Sequence, residues 1–240
     1  MRNTCFAVAS LLLAAVASMA VGQDANTKAK TEGEKPASKP GWVVIEEDVW
    51  VRFVDEPAHH MKQAHESFLK KDFKAAAHEL RLAGGFLHAA ASNAAGDAKA
   101  ALVASANEVD RLAKDVESGT VKSAKTLENT FARAEHALAI HNHVKAKTAI
   151  ENQHHAAGGH YLRSAVNHVE NAAKWAGHEL EAGAVETANG VRLVAGKVVE
   201  GTGFVPDEVG KGVTWVGTEV EKLGTLIEPH ETPAESSKKG

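Results

Sequence analysis

The sequence is almost devoid of cysteine, because the only one among its 240 residues is Cys5. Cys5 falls in an N-terminal segment that we expect to be removed, so the mature chain would carry no thiol. This composition excludes disulfide bonds, thiolate metal ligands, haem attachment through a cysteine pair and a cysteine nucleophile. A fold without disulfides depends on its core, and the roughly 220 remaining residues are enough for one or two domains.

The first 22 residues contain a single charge, Arg2, which is followed by an apolar run from Phe6 to about Ala17. Residues 18–20 and 20–22 both fit the small-x-small rule for signal cleavage. The apolar run is shorter than the roughly 20 residues needed to span a bilayer. We predict a cleavable signal peptide over residues 1–22 and export of the mature chain, which would be periplasmic or secreted.

The chain also lacks a basic run and a large excess of one charge. Its 27 lysines and arginines stand against 31 acidic residues, which argues against nucleic acid as a partner. Fourteen histidines complicate this balance, because the net charge of −4 for neutral histidines changes sign if half of them are protonated. Two interpretations are open: a functional response to acid, or a consequence of many exposed histidines that has no function.

Large apolar residues are absent from two terminal stretches, residues 23–41 and 229–240, which predicts a disordered leader and a disordered tail. Between the leader and the first helix lies "WVVIEEDVWVRFVDEP", residues 42–57, the one segment rich in β-branched and aromatic residues. A single strand would have no partner elsewhere in the sequence. We therefore predict a short apolar arm that lies on the helices.

Apolar residues recur every three or four positions from Met61 onward, as they do in amphipathic helices. Pro57 predicts the first helix start, Asp72 the N-cap of the next helix, and "SNAAGD" a turn. From Val144 to Leu180 the pattern runs on without an evident break, which indicates one long helix. We predict an all-α fold: an antiparallel bundle of about four to six helices over residues 42–182, and a C-terminal helical region over residues 183–228.

The C-terminal region has a glycine at every seventh position: Gly196, Gly203, Gly210, Gly217 and Gly224. Apolar residues at alternating spacings of four and three accompany the last three glycines, namely Val209, Val213, Val216, Val220, Leu223 and Ile227. Glycine costs about 1 kcal/mol relative to alanine inside a helix, so this helix needs a close neighbour. We predict a packing seam that closes the bundle; self-association, a protein partner or a membrane surface are the alternatives.

The segment "ENQHHAAGGH" concentrates possible metal ligands: Glu151, His154, His155 and His160. The spacing Glu-x-x-His occurs in di-iron bundles, but such a site also needs a second motif and inward-facing glutamates. We find no glutamate within the apolar stripes, and no two histidines stand three or four residues apart, as a chelating pair on one helix would. The open alternatives are a Zn, Ni or Cu site gathered from several helices, and histidines that are solvated or bridge helices.

Motifs of catalysis and nucleotide binding are missing as well. "HE" occurs three times without the second histidine of zinc proteases, and "GKG" lacks the context of a P-loop. No G-x-S-x-G occurs, and no G-x-G-x-x-G follows a predicted strand. We predict no enzymatic activity and no cofactor, and a structural or protein-interaction role in the periplasm or cell envelope. Binding or buffering of a divalent transition metal and membrane-surface association are the alternative functions.

Overall fold

The computed structural model describes residues 55–227, which form seven α-helices and no β-strand. They are α1 (Glu56–Leu69), α2 (Phe73–Ser92), α3 (Gly96–Glu117), α4 (Ala124–Glu151), α5 (His155–Ala176), α6 (Ala182–Glu200) and α7 (Pro206–Leu226). The all-α class is confirmed for the described residues, and the antiparallel arrangement of four to six helices stays a prediction. The predicted signal peptide, leader and tail and most of the apolar arm lie outside the described residues. Within residues 55–227, none of the helices combines the length and apolar character that crossing a bilayer requires.

Local sequence signals set several of these helix boundaries. Pro57 lies in the first turn of α1, where its missing N–H has no helical partner to lose. Asp72 caps α2, because its Oδ1 accepts a hydrogen bond from the Ala75 backbone N–H at 3.0 Å. The predicted turn "SNAAGD" separates α2 from α3, and Gly177 ends α5 in the left-handed conformation. These boundaries follow from residue types that are favoured at helix ends.

The long helix predicted from Val144 to Leu180 is wrong. The chain leaves the helical conformation after Glu151, and α5 begins at His155. Gln153 lies between them in the left-handed region with φ of 62°. No proline or glycine in residues 151–155 marks this helix break in the sequence. The two helices of this hairpin carry similar alanine-rich stripes, so their combined pattern is continuous across a turn that reverses the chain.

The buried residues form two apolar clusters, and α4 contributes to both. The first cluster joins α1, α2, α3 and the N-terminal half of α4, including Leu127 and Phe131. The second joins the C-terminal half of α4 with α5, α6 and α7, including Tyr161 and Leu162. Because α4 also contacts α1, α3, α5 and α7 directly, it connects the two clusters, and Trp175 of α5 packs against the first cluster as well.

Two adjacent glycines allow the backbones around α5 to approach closely. A Cβ atom on Gly158 would lie 2.7 Å from Ile150 Cγ1, and one on Gly159 would lie 2.6 Å from the backbone oxygen of Ala195 in α6. Both distances are shorter than van der Waals contact, so neither position has room for a side chain. The Gly-Gly pair therefore sets how tightly α5 packs on the end of α4 and on α6.

We expect Gly159→Ala to lower the free energy of unfolding by about 1–3 kcal/mol, because the added methyl group must displace the α6 backbone. The matched control is Gly190→Ala within α6, where no atom lies within 4 Å of the new Cβ. That control should be neutral or stabilise the protein by up to about 1 kcal/mol, because alanine is the better helix former. Urea unfolding of both variants measures the difference. Equal stabilities would show that the α5–α6 contact is looser than described.

Candidate functional site

The four predicted metal ligands are spread over the turn between α4 and α5. Glu151 ends α4 and His154 lies in the turn, both exposed, whereas His155 begins α5. The Glu-x-x-His spacing therefore spans a helix break, and the one-turn separation assumed for a continuous helix does not apply. His155 packs against Phe204 with ring centroids 5.3 Å apart, and His160 is half-buried. Over residues 55–227, no three His, Cys, Asp or Glu side chains are grouped so as to hold a metal ion.

The glycine repeat does not belong to one helix. Gly196 lies in α6, Gly203 lies in the loop before α7 with φ of 66°, and the last three glycines lie in α7. The apolar residues that accompany them all lie in α7 except Ile227, which follows its last residue. Val209, Val216, Val220 and Leu223 are buried, and Val213 and Ile227 are partly buried against the second apolar cluster. The apolar side of α7 thus faces the core of its own chain.

Two glycines of α7 lie against two histidine rings of α4. A Cβ atom on Gly217 would be 3.1 Å from His143 Cε1, and one on Gly224 would be 3.3 Å from His136 Cε1. The two histidines are seven residues apart, and so are the two glycines. The earlier glycine contacts the later histidine, because α4 and α7 are antiparallel. The glycines therefore provide the space that the imidazole rings occupy.

The same histidines hydrogen-bond to the backbone of α7. His136 Nε2 donates to the Val220 carbonyl at 2.9 Å, and His143 bonds to the Val213 carbonyl. Each of these carbonyls stands four residues before a contacted glycine, at the position whose oxygen accepts that glycine's N–H in an α-helix. The imidazole reaches this oxygen because the glycine has no side chain in the way. Shape and hydrogen bonding together fix the register of α7 on α4.

Burial opposes protonation of two histidines on α4. The pKa of His143 is lowered chiefly by burial and also by Lys147, while the Val213 carbonyl and Glu221 act in the opposite direction. Burial lowers the pKa of His141 to about 4, with further contributions from Lys145 and His168. Both imidazoles are therefore neutral in the folded protein at neutral pH.

A second group of histidines bridges helices through carboxylates. The ring-to-carboxylate distances are 2.7 Å for His60–Glu79, 3.2 Å for His65–Glu128 and 2.9 Å for His88–Asp110. These contacts join α1 to α2, α1 to α4, and α2 to α3. Protonation of such an imidazole completes an ion pair across the interface and leaves no isolated buried charge. The histidines thus fall into two groups that protonation affects differently.

A buried carboxylate–imidazole pair joins α4 to α5. His168 Nδ1 lies 2.6 Å from Glu135 Oε2, and both side chains are fully buried. Asp55, just before α1, has its Oδ1 3.7 Å from His168 Nε2 and accepts a hydrogen bond from the Ser164 hydroxyl. The expectation that no glutamate stands within an apolar stripe is wrong for Glu135. Its spacing of four after Phe131 on one helix face is the signal that could have identified it.

Comparison of the chain with protein-family models, with curated proteins and with solved structures found no match.

We expect Gly217→Leu to destabilise the protein by about 1–3 kcal/mol, because its side chain would occupy the space of the His143 ring. Gly210→Leu is the matched control on the same helix, since no atom lies within 4 Å of its Cβ position. Combining Gly217→Leu with His143→Ala should recover part of the lost stability by vacating that space. Urea unfolding of the three variants tests the contact. The same stability for Gly217→Leu and Gly210→Leu would contradict it.

Proposed function

We propose that the protein is a non-catalytic, exported helical protein with a structural or protein-interaction role in the periplasm or cell envelope. We further propose that acid controls whether α7 is docked on the rest of the chain. The observation that supports this proposal is the pairing of His136 and His143 with Gly224 and Gly217. Two successive contacts of α7 with α4 are thereby each made by an imidazole ring.

The effect of acid on the His143 contact follows from the direction of the His143 pKa shift. A histidine whose pKa is lower in the folded state stabilises the fold above its unfolded pKa of about 6.5. That stabilisation is lost as the pH falls below this value, because protonation is easier in the undocked state. A charged His143 would also face Lys147 on its own helix; Glu221 on α7 and the Val213 carbonyl act in the opposite direction, and the cost of burying the charge outweighs them. Mild acidity therefore favours release of α7.

Release of α7 would leave most of the fold in place. The contacts among α1, α2 and α3 include His60–Glu79 and His88–Asp110, in which an imidazole faces a carboxylate. A proton gained by an imidazole in such a contact has a carboxylate to pair with, whereas a proton on His143 opposes its burial against α7. The glycines of α7 also make it a poor helix when it is undocked. α7 thus combines a contact that acid weakens with low intrinsic stability of the helix itself.

Undocking would expose the apolar seam of α7. Val209, Val216, Val220 and Leu223 are buried in the docked state and would become available to another surface. An apolar helix face of this kind is covered by a partner's groove or by a second copy of the same helix. An exported protein meets changes of pH that the cytoplasm buffers, so an acid-dependent interaction suits the predicted location. The interaction role would then be conditional on pH.

Hydrogen exchange measured by mass spectrometry tests this proposal. After correction for the intrinsic pH dependence of exchange, residues 206–226 should exchange faster at about pH 5.5 than at about pH 7.5. Residues 73–92 of α2 serve as the internal reference and should show little change. In His143→Gln, an amide can still donate to the Val213 carbonyl but does not titrate, so the acid effect on α7 should be smaller. Equal acceleration in α2 and α7 would indicate general unfolding and count against a releasable helix.

The pH dependence of global stability provides a separate prediction. His141 has a pKa of about 4 in the fold against 6.5 when unfolded, which corresponds to roughly 3 kcal/mol in full. The contribution is present above about pH 6.5 and is lost as the pH falls towards about 4. Urea unfolding across this window should therefore show falling stability, with a shallower slope in His141→Leu. An identical slope in the variant would contradict burial of a neutral His141.

A further inference from the structure

Helix α6 packs on its own chain through one side and leaves the opposite side exposed. Its buried residues are Ala188, Val191, Ala195 and Val198. The exposed side carries residues at alternating spacings of three and four, namely Gly183, Glu186, Gly190, Leu193, Lys197 and Glu200. This spacing keeps all of them on one face of a helix. The exposed face of α6 is therefore a continuous surface that another molecule can reach.

Leu193 is the apolar centre of this face. It is 71% exposed, more than any other large apolar residue within residues 55–227. Gly190 precedes it on the same face, and no atom lies within 4 Å of the position that a Cβ on Gly190 would occupy. The face therefore presents a protruding side chain next to an open space. A second α6 helix that runs in the opposite direction would place its own leucine in this space and accept Leu193 in return.

The charged residues of the face match in the same arrangement. If Leu193 of one copy faces Gly190 of a second, antiparallel copy, then Glu186 of one copy faces Lys197 of the other. The reason is that Glu186 lies four residues before Gly190, and Lys197 lies four residues after Leu193. Twofold symmetry forms each of these contacts twice. One register thus satisfies both the shape and the charges of the face.

The charges distinguish this arrangement from others. Among the described residues, none forms an ion pair with Glu186 or Lys197, whereas Arg192 of the same helix pairs with Glu170 on α5. A parallel pair of α6 helices would bring two glutamates together and two lysines together, and like charges in contact oppose association. A partner surface of one charge sign would match only one of the two groups. The face is therefore complementary to itself in the antiparallel direction.

We propose that α6 forms an antiparallel, twofold-symmetric contact with α6 of a second copy of this chain. Leu193 of each copy fills the space beside Gly190 of the other, and Glu186 pairs with Lys197 at both ends. α6 is about 28 Å long, and one such helix from each copy covers less than the roughly 1,200–2,000 Å² of a standard interface. The dimer is therefore weak, with a dissociation constant of roughly 10–100 µM. α7 contacts the opposite side of α6, at Val191, so the proposal does not depend on the acid response.

Sedimentation velocity at about pH 7.5, over protein concentrations from about 5 to about 500 µM, tests for this dimer. A reversible equilibrium between monomer and dimer is expected. Leu193→Asp should weaken the dimer about tenfold or more, because it places a charge at the centre of the contact. Leu69→Asp is the matched control, since Leu69 is 60% exposed on α1, and it should leave the dissociation constant unchanged. A monomer at every concentration, or equal effects of the two substitutions, would overturn the proposal.

Charge exchange tests the antiparallel register. Glu186→Lys brings lysines together at both ends of the contact, and Lys197→Glu brings glutamates together, so each alone should weaken the dimer about tenfold. The double variant restores opposite charges and should return the dissociation constant to within about threefold of the original. Both positions are exposed, so the variants should keep the fold of the monomer. Single variants without effect, or a double variant no stronger than the single ones, would contradict the register.

A lipid surface is the other occupant that an exposed apolar helix face suits. Co-sedimentation with phosphatidylcholine vesicles distinguishes it from a second copy. The wild-type chain is expected to stay in the supernatant at concentrations where it dimerises. A chain that remains monomeric, binds these vesicles and loses that binding in Leu193→Asp would assign the face to a lipid surface and overturn the dimer.

Discussion

Close approach of small-residue helices to one another, above all to α4, is the constraint on which the rest of this structure depends. Alanine buries little apolar area, and at roughly 25 cal/mol per Å² each alanine contact contributes little stability. Such helices gain enough contact only when their backbones lie near one another, as at Gly158 and Gly159. α4 is long enough to contribute to both apolar clusters, so the α1–α3 half and the α5–α7 half are joined through it.

Alanine faces are nearly smooth, so they distinguish poorly between one packing register and the next. Buried polar pairs on α4 supply that distinction. Arg133 Nε donates to Glu108 on α3 at 2.9 Å, and Glu135 accepts from His168 on α5 at 2.6 Å. A shift of either neighbouring helix would leave a buried charge without its partner, which costs roughly 3–5 kcal/mol. The polar pairs thus select which residues of α3 and α5 face α4, while the small residues set the distance.

The fold class and many helix ends could be predicted from the sequence because their causes are local. Pro57 and Asp72 act within one helical turn, and the three-to-four spacing of apolar residues is a property of each helix by itself. The break at Gln153 was missed because its left-handed conformation is set by the hairpin and not by its residue type. The site depends on partners that are distant in sequence. Glu135 has its partner 33 residues away, and the α7 glycines meet α4 residues more than 70 positions earlier. The equal spacing of seven in His136/His143 and Gly217/Gly224 was visible, but the sequence does not say that the two helices pack together.

The choice of histidine at the α4–α7 contact has a physical reason. The site needs a flat group that fits the space left by glycine, donates to a helix carbonyl and carries no charge when buried at neutral pH. Neutral imidazole satisfies all three conditions, whereas lysine would bury a charge and an aliphatic residue would lose the hydrogen bond. The same choice makes the contact sensitive to acid, because imidazole is the one such donor that gains a charge under mild acidity. Glycine adds to this sensitivity, since each one lowers the stability of the free helix by about 1 kcal/mol relative to alanine. A helix with little stability of its own needs only a small change in docking energy to be released, and burial of the neutral His143 ring links that energy to pH.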